Sequence, residues 1–231
     1  MNILITGASK GIGKAIAESV SGNVFAVSRS ENLLKTFENY CVCDLATIEG
    51  MIKLGEYIEE NKIDVLINNA GEYVYSPIEK ISKEDLEHII KLNLEAPLFL
   101  TSKAVPYMKS KNFGRIINIG SISGVMGEAN ASLYSATKAG LIGATKALAL
   151  ELAEYGITVN TINPGWVDTE LGNASCESSE FTKDEIIDCI PQRRFVSPAE
   201  IAGMVKYLIS EDAKGVTGQS INLCAGLSVG Y

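Results

Sequence analysis

Histidine and tryptophan are nearly missing from this sequence of 231 residues, since each occurs only once. The single histidine, His88, falls within a helical run, and no set of His, Asp and Glu residues stands at metal-ligand spacing. We therefore predict that the protein holds no catalytic metal. His88 is interpreted as a surface or groove residue rather than as a catalytic one.

Positive charge is also scarce, because 20 lysines and arginines stand against 28 aspartates and glutamates and give a formal net charge of -8. A negatively charged protein is repelled by polyanions, so nucleic acid and an anionic membrane surface are disfavoured as main partners. Any anionic ligand would need a local basic site.

Paired cysteines and long apolar runs are absent as well. The cysteines are odd in number and none forms a C-x-x-C spacing, which favours reduced thiols over a disulfide framework or a zinc site. The first residues show no basic leader or cleavage site, and no apolar stretch approaches the roughly 18 residues that cross a membrane. We expect a cytoplasmic protein with no membrane partner.

Short apolar runs rich in Val and Ile alternate with amphipathic segments of helical length along the whole chain. Runs that are apolar on both faces are typical of a buried parallel sheet, so the alternation predicts an α/β fold. The predicted strands are residues 2–5, 24–27, 40–43, 65–67, 116–119, 157–162 and 220–223, and the predicted helices are residues 13–19, 48–59, 82–110, 135–154 and 198–210. No repeat, low-complexity tract or linker divides residues 1–231, which we interpret as a single domain.

The alternation breaks at residues 171–194, a polar stretch with one short helical piece near residues 183–189. A long polar segment inside a compact domain is often a functional lid. We interpret it as a mobile cover that orders over a substrate, and we expect Val125, Met126 and Trp166 to contribute to the pocket beneath it.

The first predicted strand runs directly into a glycine-rich turn, T-G-A-S-K-G-I-G over residues 6–13, that opens a helix. Strand, turn and helix stand in the order of a dinucleotide site. Glycines let the backbone approach a phosphate closely, and the helix N-terminus offers unpaired N–H groups and the positive end of its dipole. An ordinary tight turn can have the same glycines, so other motifs in the chain are needed to distinguish a dinucleotide site from such a turn.

The strongest candidates for chemistry are Tyr134, Lys138 and Ser121. Residues at i and i+4 share one helix face, so Tyr134 and Lys138 can point at one site, and an ammonium beside a phenol lowers the pKa of the phenol. Ser121 stands upstream of both, after the strand at residues 116–119. An isolated Y-x-x-x-K pair is common on surface helices, so this trio gains weight only from the motifs that accompany it.

Taken together, these motifs resemble those of the short-chain dehydrogenase/reductase family. Its T-G-x-x-x-G-I-G motif is matched at residues 6–13, its N-N-A-G motif at residues 68–71 and its P-G-x-x-x-T motif at residues 164–169. The resemblance extends over the whole chain. It implies a single-domain Rossmann fold, with a doubly wound parallel sheet of about seven strands in the order 3-2-1-4-5-6-7 flanked by helices. It also implies a homo-oligomer, a tetramer or a dimer.

The resemblance implies an oxidoreductase that transfers a hydride between NADP(H) and a carbonyl or secondary alcohol. Tyr134 would be the general acid or base, Lys138 would lower its pKa and bind the nicotinamide ribose, and Ser121 would hold the carbonyl oxygen. Asn93 would hold a water in a proton relay, although alone it also fits a helix interruption or a core amide. The other implied cofactor contacts lie in loops that follow strands: Gly7, Ser9, Lys10, Gly11, Ile12, Gly13, Ser28, Arg29, Asp44, Leu45, Asn69, Ala70, Gly71, Pro164, Gly165, Val167 and Thr169.

The segment after the second predicted strand distinguishes NAD from NADP. An acid about 20 residues beyond the glycine-rich turn binds the ribose diol of NAD, whereas a base accommodates the 2′-phosphate of NADP. Here the segment reads Ser28-Arg29-Ser30, and Lys10 stands in the turn itself. We predict NADP, with Arg29 and Lys10 converging on its phosphate. The alternative is that both bases are solvated surface residues.

The substrate stays open at this point. Many members of the family reduce 3-oxoacyl groups on acyl carrier protein, an acidic partner that needs a basic face. Lys109, Lys111 and Arg115 would supply one edge of such a face. Glu151 and Glu154, however, lie where a second basic contact is expected. Small ketones, diketones and steroid-like alcohols are further candidates, and a dinucleotide-binding sensor or scaffold with little turnover is the alternative function.

Overall fold

The computed structural model describes residues 1–178 and 181–229. Within them, one parallel sheet contains seven strands, in the order β3-β2-β1-β4-β5-β6-β7. The strands are β1 Asn2–Thr6, β2 Asn23–Ser28, β3 Asn39–Val42, β4 Val65–Asn68, β5 Gly114–Ile119, β6 Ile157–Pro164 and β7 Ser220–Leu223. The predicted doubly wound α/β fold and its strand order are confirmed.

Helices cover both faces of the sheet. They are α1 Gly11–Ser19, α2 Ile48–Asn61, α3 Lys83–Ile90, α4 Ala96–Lys111, α5 Ser123–Met126, α6 Ser132–Leu152, α7 Glu170–Ser178, α8 Lys183–Cys189 and α9 Pro198–Ile209. One face packs on α1 and α9, and the other packs on α2, α4 and α6. Because successive side chains of a strand point to opposite faces, Ile3 and Ile5 enter one core while Leu4 enters the other. Among the described residues, no helix has both the length and the apolar character needed to cross a membrane.

Two predicted helices differ from the structure in ways that affect the site. The run predicted as one helix over residues 82–110 contains a π-helical segment, Lys91–Glu95, between α3 and α4. Helix α6 begins at Ser132 rather than at residue 135, so Tyr134 lies in its first turn. Helix α7 is not predicted from the sequence, and α9 begins with a capping box formed by Ser197 and Glu200.

The expectation that Arg115 contributes to an exposed basic face is wrong. Its side chain is only 3% exposed, because the guanidinium lies 4.4 Å from the centroid of the Phe113 ring. The same group donates hydrogen bonds to the carbonyl oxygens of Gly114 at 2.9 Å and Gly156 at 3.2 Å. Arg115 is therefore part of the packing at the start of β5 and does not extend the surface of Lys109 and Lys111.

A chain of buried polar side chains crosses the centre of the sheet. The Asn68 side-chain amide on β4 donates to the side-chain oxygen of Asn118 at 2.9 Å. The side-chain amide of Asn118 on β5 in turn donates to the Thr145 hydroxyl at 2.9 Å. The Thr145 hydroxyl on α6 lies 2.6 Å from that of Thr161 on β6. Buried polar groups are costly unless paired, so this chain fixes α6, which carries Tyr134, against the strands.

We expect Thr145→Val to lower the free energy of unfolding by about 1–3 kcal/mol, because it leaves Asn118 without its acceptor while conserving shape. Urea denaturation measures the loss. Thr158→Val is the matched control, since Thr158 is a buried threonine of β6 whose hydroxyl forms no hydrogen bond within the described residues. Equal losses in the two variants would contradict a stabilising role for the polar chain.

Candidate active site

A cleft of about 1070 Å³ opens where the loops after β1, β2, β3, β4, β5 and β6 converge. All these loops follow the carboxyl ends of parallel strands, the usual location of ligand sites in open α/β sheets. The cleft is large enough for a dinucleotide together with a small molecule. Nearly all residues implied as site residues line it: Gly7, Ser9, Lys10, Gly11, Ile12, Ser28, Arg29, Asp44, Leu45, Asn69, Ala70, Gly71, Ser121, Tyr134, Lys138, Pro164, Gly165, Val167 and Thr169. Gly13 and Asn93 lie just behind this lining.

The glycine-rich turn forms one wall of the cleft through backbone alone. Gly7 and Gly11 have φ values of 68° and 53°, a left-handed conformation that glycine adopts without strain. A Cβ at Gly13 would lie 2.2 Å from the Gly7 carbonyl oxygen, so α1 approaches the turn more closely than any side chain would permit. The N-terminus of α1 thus faces the cleft as a site for a phosphate.

A bracket of hydrogen bonds joins this turn to the N-N-A-G segment after β4. The Thr6 hydroxyl accepts from the backbone N–H groups of Asn69 and Ala70, each at 2.9 Å. The Asn69 side-chain amide in turn donates to the Thr6 carbonyl oxygen at 2.8 Å. We call these contacts the Thr6–Asn69 bracket. They hold the ends of β1 and β4 together, so the two motifs form one floor.

The two cations predicted to meet a phosphate both have carboxylate partners. The Lys10 ammonium is 2.8 Å from Glu170, the first residue of α7, and the Arg29 guanidinium is 2.9 Å from Glu72. Both cationic side chains are more than half exposed at the rim of the cleft. The pairs are therefore accessible to solvent, where an ion pair contributes little stability.

Tyr134 and Lys138 meet on one face of α6, as their spacing predicts. The Lys138 ammonium lies 5.6 Å from the Tyr134 ring centroid and donates to the Ile119 carbonyl oxygen at 2.9 Å. Burial lowers the pKa of Lys138 to about 8. Burial raises the pKa of Tyr134 to about 12, against the opposing effect of its hydrogen bond with Ser121 and with a further increase from the Glu128 charge.

The direction of the Tyr134 shift is opposite to the one expected from the sequence. An ammonium lowers the pKa of a phenol only when its effect exceeds the cost of placing a phenolate in a desolvated site. Here the cleft wall removes water from the ring, and Lys138 is directed at the Ile119 carbonyl. Desolvation therefore dominates, and it acts on both groups to favour their neutral forms.

Ser121 and Asn93 occupy two different layers of the site. Ser121 lines the cleft, where its hydroxyl donates to the Ser123 hydroxyl at 3.1 Å and accepts from the Ser123 N–H at 3.1 Å. Asn93 is fully buried in the π-helical segment, a feature frequent at functional sites. Its amide accepts from the Glu72 N–H at 3.0 Å and donates to the Glu72 carbonyl oxygen at 2.8 Å, which fixes the chain after N-N-A-G.

The segment after β6 lines the cleft next to the glycine-rich turn. Val167 forms an isolated parallel bridge with Val196, and Gly165 packs so closely that an added Cβ would lie 2.8 Å from the Cys224 Cβ. The Thr169 hydroxyl accepts from the Gly172 N–H at 3.0 Å and thereby stabilises the first turn of α7. This segment lies beside Gly11, because a Cβ added there would lie 3.4 Å from the Thr169 Cγ2 atom.

Several cleft residues are missed by motif reasoning. Tyr73 and Tyr75 follow the N-N-A-G motif and stack with ring centroids 6.5 Å apart, and Glu128 and Asn130 lie between Ser121 and Tyr134. Tyr73 also meets the Tyr134 ring edge-on at 5.0 Å. The sequence feature that could have identified these residues as part of the cleft is their position, because each stands within a few residues of a motif that reaches the cleft.

The stretch at residues 171–194 contributes two helices to the cleft wall. Side chains of α7 and α8 face inward, including Leu171, Ala174 and Ile186, and Phe181 stands between the helices. Residues 179 and 180, which belong to the proposed lid, lie outside the described residues. Met126 and Trp166 line the cleft as expected, whereas Val125 is 47% exposed and is not part of the lining.

The cleft shows no group of metal ligands. Among residues 1–178 and 181–229, no three His, Cys, Asp or Glu side chains converge as they would around a metal ion. His88 instead lies 2.8 Å from the second oxygen of Glu72, so this carboxylate contacts both His88 and Arg29. His88 belongs to the rim of the cleft rather than to the Tyr134 cluster.

Comparison with known proteins gives a family match at residues 1–180, to the family described as short chain dehydrogenase. The 3-oxoacyl-[acyl-carrier-protein] reductase FabG of Salmonella typhimurium is 35% identical over 237 residues, which cover 97% of this chain and 96% of that protein.

Two solved structures share the fold over nearly their whole length. A variant of actinorhodin polyketide ketoreductase, crystallised with NADPH, superposes with a TM-score of 0.92 at 35% identity and covers 99% of this chain and 97% of its own. A candidate NAD(P)-dependent gluconate 5-dehydrogenase of Beutenbergia cavernae, with NADP bound at low occupancy, superposes with a TM-score of 0.90 at 31% identity. The match covers 98% of this chain and 96% of that chain.

We expect Gly13→Ala to destabilise the protein by about 3 kcal/mol or more, because the new methyl group collides with the Gly7 carbonyl and forces α1 away from the turn. Thermal and urea unfolding measure the effect. Gly143→Ala is the matched control, since its added Cβ meets nothing within 4 Å on α6 and should stabilise the helix by up to about 1 kcal/mol. A Gly13→Ala variant as stable as the wild type would refute the tight contact.

Proposed function

The chain belongs to the short-chain dehydrogenase family, and on this premise we propose that it is an oxidoreductase that transfers a hydride between NADP(H) and a carbonyl or secondary alcohol. The observation that carries the proposal is the meeting of Tyr134, Lys138 and Ser121 in the same cleft as the glycine-rich turn. The cleft thus combines a proton donor with a phosphate-binding backbone. Residues 171–194 are proposed as the lid over the substrate.

The residues present fit a dinucleotide. The glycines let α1 pack closely on the turn, since a Cβ at Gly13 would lie 2.2 Å from the Gly7 carbonyl oxygen, and the N-terminus of this helix is suited to the pyrophosphate. Asp44, Leu45, Val167 and Thr169 line the same cleft. Asp44 and Leu45 would contact the adenine, and the backbone of Val167 and the hydroxyl of Thr169 would contact the carboxamide. NADP is the proposed cofactor, supported by the two solved relatives that carry NADPH or NADP.

The chain's own residues supply the proton and the orientation. The bound nicotinamide supplies the hydride in reduction and accepts it in oxidation. In reduction, Tyr134 donates its phenolic proton to the carbonyl oxygen, and Ser121 donates a second hydrogen bond to the same oxygen as negative charge develops on it. Lys138 holds the ribose and contacts the Tyr134 ring, while Asn93 positions the chain at Glu72.

The acid–base state of the site favours reduction near neutral pH. With its pKa raised to about 12, mainly by burial, Tyr134 is protonated well above pH 7 and is ready to donate. The reverse reaction needs the phenolate, which becomes more abundant only as the pH rises towards that value. Lys138, whose pKa burial lowers to about 8, keeps its charge below that pH and loses it above.

Two further points concern partners. Lys109 and Lys111 lie over the rings of Tyr155 and Tyr107, and the buried Arg115 adds nothing to them, so this edge offers a weak docking site for an acidic carrier protein. A homo-oligomer is proposed, either a dimer or a tetramer. It is supported by exposed leucines on two neighbouring helices, Leu98 on α4 and Leu150 on α6, which are 41% and 86% exposed.

We expect Tyr134→Phe to lower kcat/KM for ketone reduction about a hundred- to ten-thousand-fold while the Kd for NADPH stays unchanged, because only the proton donor is removed. NADPH consumption with a panel of ketones and fluorescence titration of NADPH measure the two quantities. Tyr207→Phe, at an exposed tyrosine of α9, is the control. Turnover that survives Tyr134→Phe would contradict the mechanism, and NADPH binding without turnover on the whole panel would favour a sensor.

We expect the wild type to prefer NADPH over NADH by a factor of tens, because a cation at a phosphate contributes roughly 1.5–3 kcal/mol. Arg29→Asp should lower this preference at least ten-fold or reverse it, since the new carboxylate repels the phosphate and accepts the ribose hydroxyls. Steady-state kcat/KM for both cofactors gives the ratio. Lys35→Asp, at an exposed position outside the cleft lining, carries the same charge change as a control. A wild type that prefers NADH would show the assignment of Arg29 and Lys10 to be wrong.

A further inference from the structure

Glu128 is a carboxylate at the substrate end of the cleft, beside the groups that hold the reacting oxygen. It lies on the loop between α5 and α6, and it lines the cleft. One of its oxygens accepts the Ser123 hydroxyl at 2.6 Å and the other accepts the Tyr73 hydroxyl at 2.7 Å. An ionised carboxylate only accepts hydrogen bonds, and here both oxygens do so.

Both partners of Glu128 touch the catalytic groups directly. The Ser123 hydroxyl accepts from Ser121 at 3.1 Å, so a continuous chain of hydroxyls leads from the oxygen that would bind the substrate carbonyl to the carboxylate. On the other side, the Tyr73 ring meets the Tyr134 ring edge-on with centroids 5.0 Å apart. The negative charge is therefore two contacts away from both Ser121 and Tyr134.

No cation among the described residues of the lining neutralises this charge. The lining cations are Lys10, Arg29 and Lys138. The first two are at the rim beside the glycine-rich turn and are paired with Glu170 and Glu72. Lys138 contacts the Ile119 carbonyl, on the sheet side of Tyr134. The hydrogen-bond partners of Glu128 are instead two neutral hydroxyl groups, those of Ser123 and Tyr73.

We propose that Glu128 is a specificity-determining residue that restricts the cleft to neutral carbonyl compounds, such as esters or thioesters of 3-oxo acids, and rejects the corresponding free carboxylates. The proposal rests on the proposed function, because it concerns which carbonyl compound reaches Tyr134. A carboxylate group on a 3-oxo acid is only two bonds from the reacting carbon, so it would lie well within the Debye length of about 10 Å from Glu128.

The expected size of the effect follows from Coulomb's law. Two like charges about 6 Å apart in a partly solvated cleft repel each other strongly enough to reduce binding roughly ten-fold or more. A neutral ester at the same position carries no charge for Glu128 to repel, so its binding is not weakened in this way. It can also place its ketone oxygen beside Ser121 and Tyr134, because the hydrogen bonds of Glu128 are made to Ser123 and Tyr73 and not to these two groups.

The test compares ethyl acetoacetate with acetoacetate, which share the reacting ketone, in the wild type and in Glu128→Gln. Because the two compounds also differ in size, the measured quantity is the change in their kcat/KM ratio between the two proteins. We expect the wild type to prefer the ester and the ratio to fall about ten-fold in Glu128→Gln, mainly through faster reduction of acetoacetate, with the Kd for NADPH unchanged. Glu56→Gln, at an exposed acid of α2 outside the cleft lining, is the matched control and should keep the wild-type ratio.

A ratio that stays within two-fold in Glu128→Gln would overturn the inference while the proposed function stands. Reduction of neither compound by the wild type would overturn the inference, and the proposed function would fall with it only if the whole ketone panel were also left unreduced. If Glu128→Gln does not fold, the inference can be tested with the wild type alone, because added salt screens the repulsion between Glu128 and acetoacetate. The rate of acetoacetate reduction should then rise relative to that of ester reduction as the ionic strength increases. Equal salt dependence of the two rates would also reject the role of Glu128.

Discussion

The Thr6–Asn69 bracket is the contact on which the rest of the cleft depends. Parallel strands bring their carboxyl ends to one edge of the sheet, but pairing alone leaves the loops beyond that edge free to diverge. One threonine hydroxyl and one asparagine amide join the loop of β1 to that of β4. With this floor fixed, α1 can approach the turn at Gly13, and the chain after N-N-A-G can reach Asn93.

The other side of the cleft is positioned by the buried polar chain from Asn68 to Thr161. It passes through Thr145 on α6, the helix whose first turns carry Tyr134 and Lys138. Hydrogen bonds within the core, rather than the loops, therefore fix the positions of the Tyr134 phenol and the Lys138 ammonium. The candidate catalytic pair is thus positioned separately from the loops that form the rest of the cleft wall.

The sequence predicts the features that depend on backbone conformation or on spacing along one element. The alternation of apolar runs and helices predicts the α/β class, and spacing places Gly7 in a turn and Tyr134 on one helix face with Lys138. The strand order and the role of Asn69, by contrast, follow from the family resemblance. Contacts between separate loops are not predictable in this way. Nothing in the spacing pairs Lys10 with Glu170 or Arg29 with Glu72, because those pairs depend on where four loops meet in space.

Burial of charge is the second limit on prediction from sequence. Arg115 stands at the start of a strand, where a cation is expected to reach solvent, yet two backbone carbonyls and the Phe113 ring enclose it. The pKa of Tyr134 shows the same limit, since its direction depends on how much water the cleft removes and on where the Lys138 ammonium is directed. Both quantities are properties of the packed site and not of the motif.

Lys10 and Arg29 are already paired with Glu170 and Glu72, so a phosphate that binds these cations would have to displace the two carboxylates. An arriving phosphate competes with Glu170 for Lys10 and with Glu72 for Arg29, so the net gain is the difference between two ion pairs. Glu170 begins α7, a helix that also lines the cleft. By thermodynamic reciprocity, whatever strengthens the hold of Lys10 on α7 weakens its hold on the phosphate to the same extent. If Lys10 binds the cofactor phosphate as proposed, cofactor affinity and the contact that holds α7 at Lys10 are therefore linked by one coupling free energy.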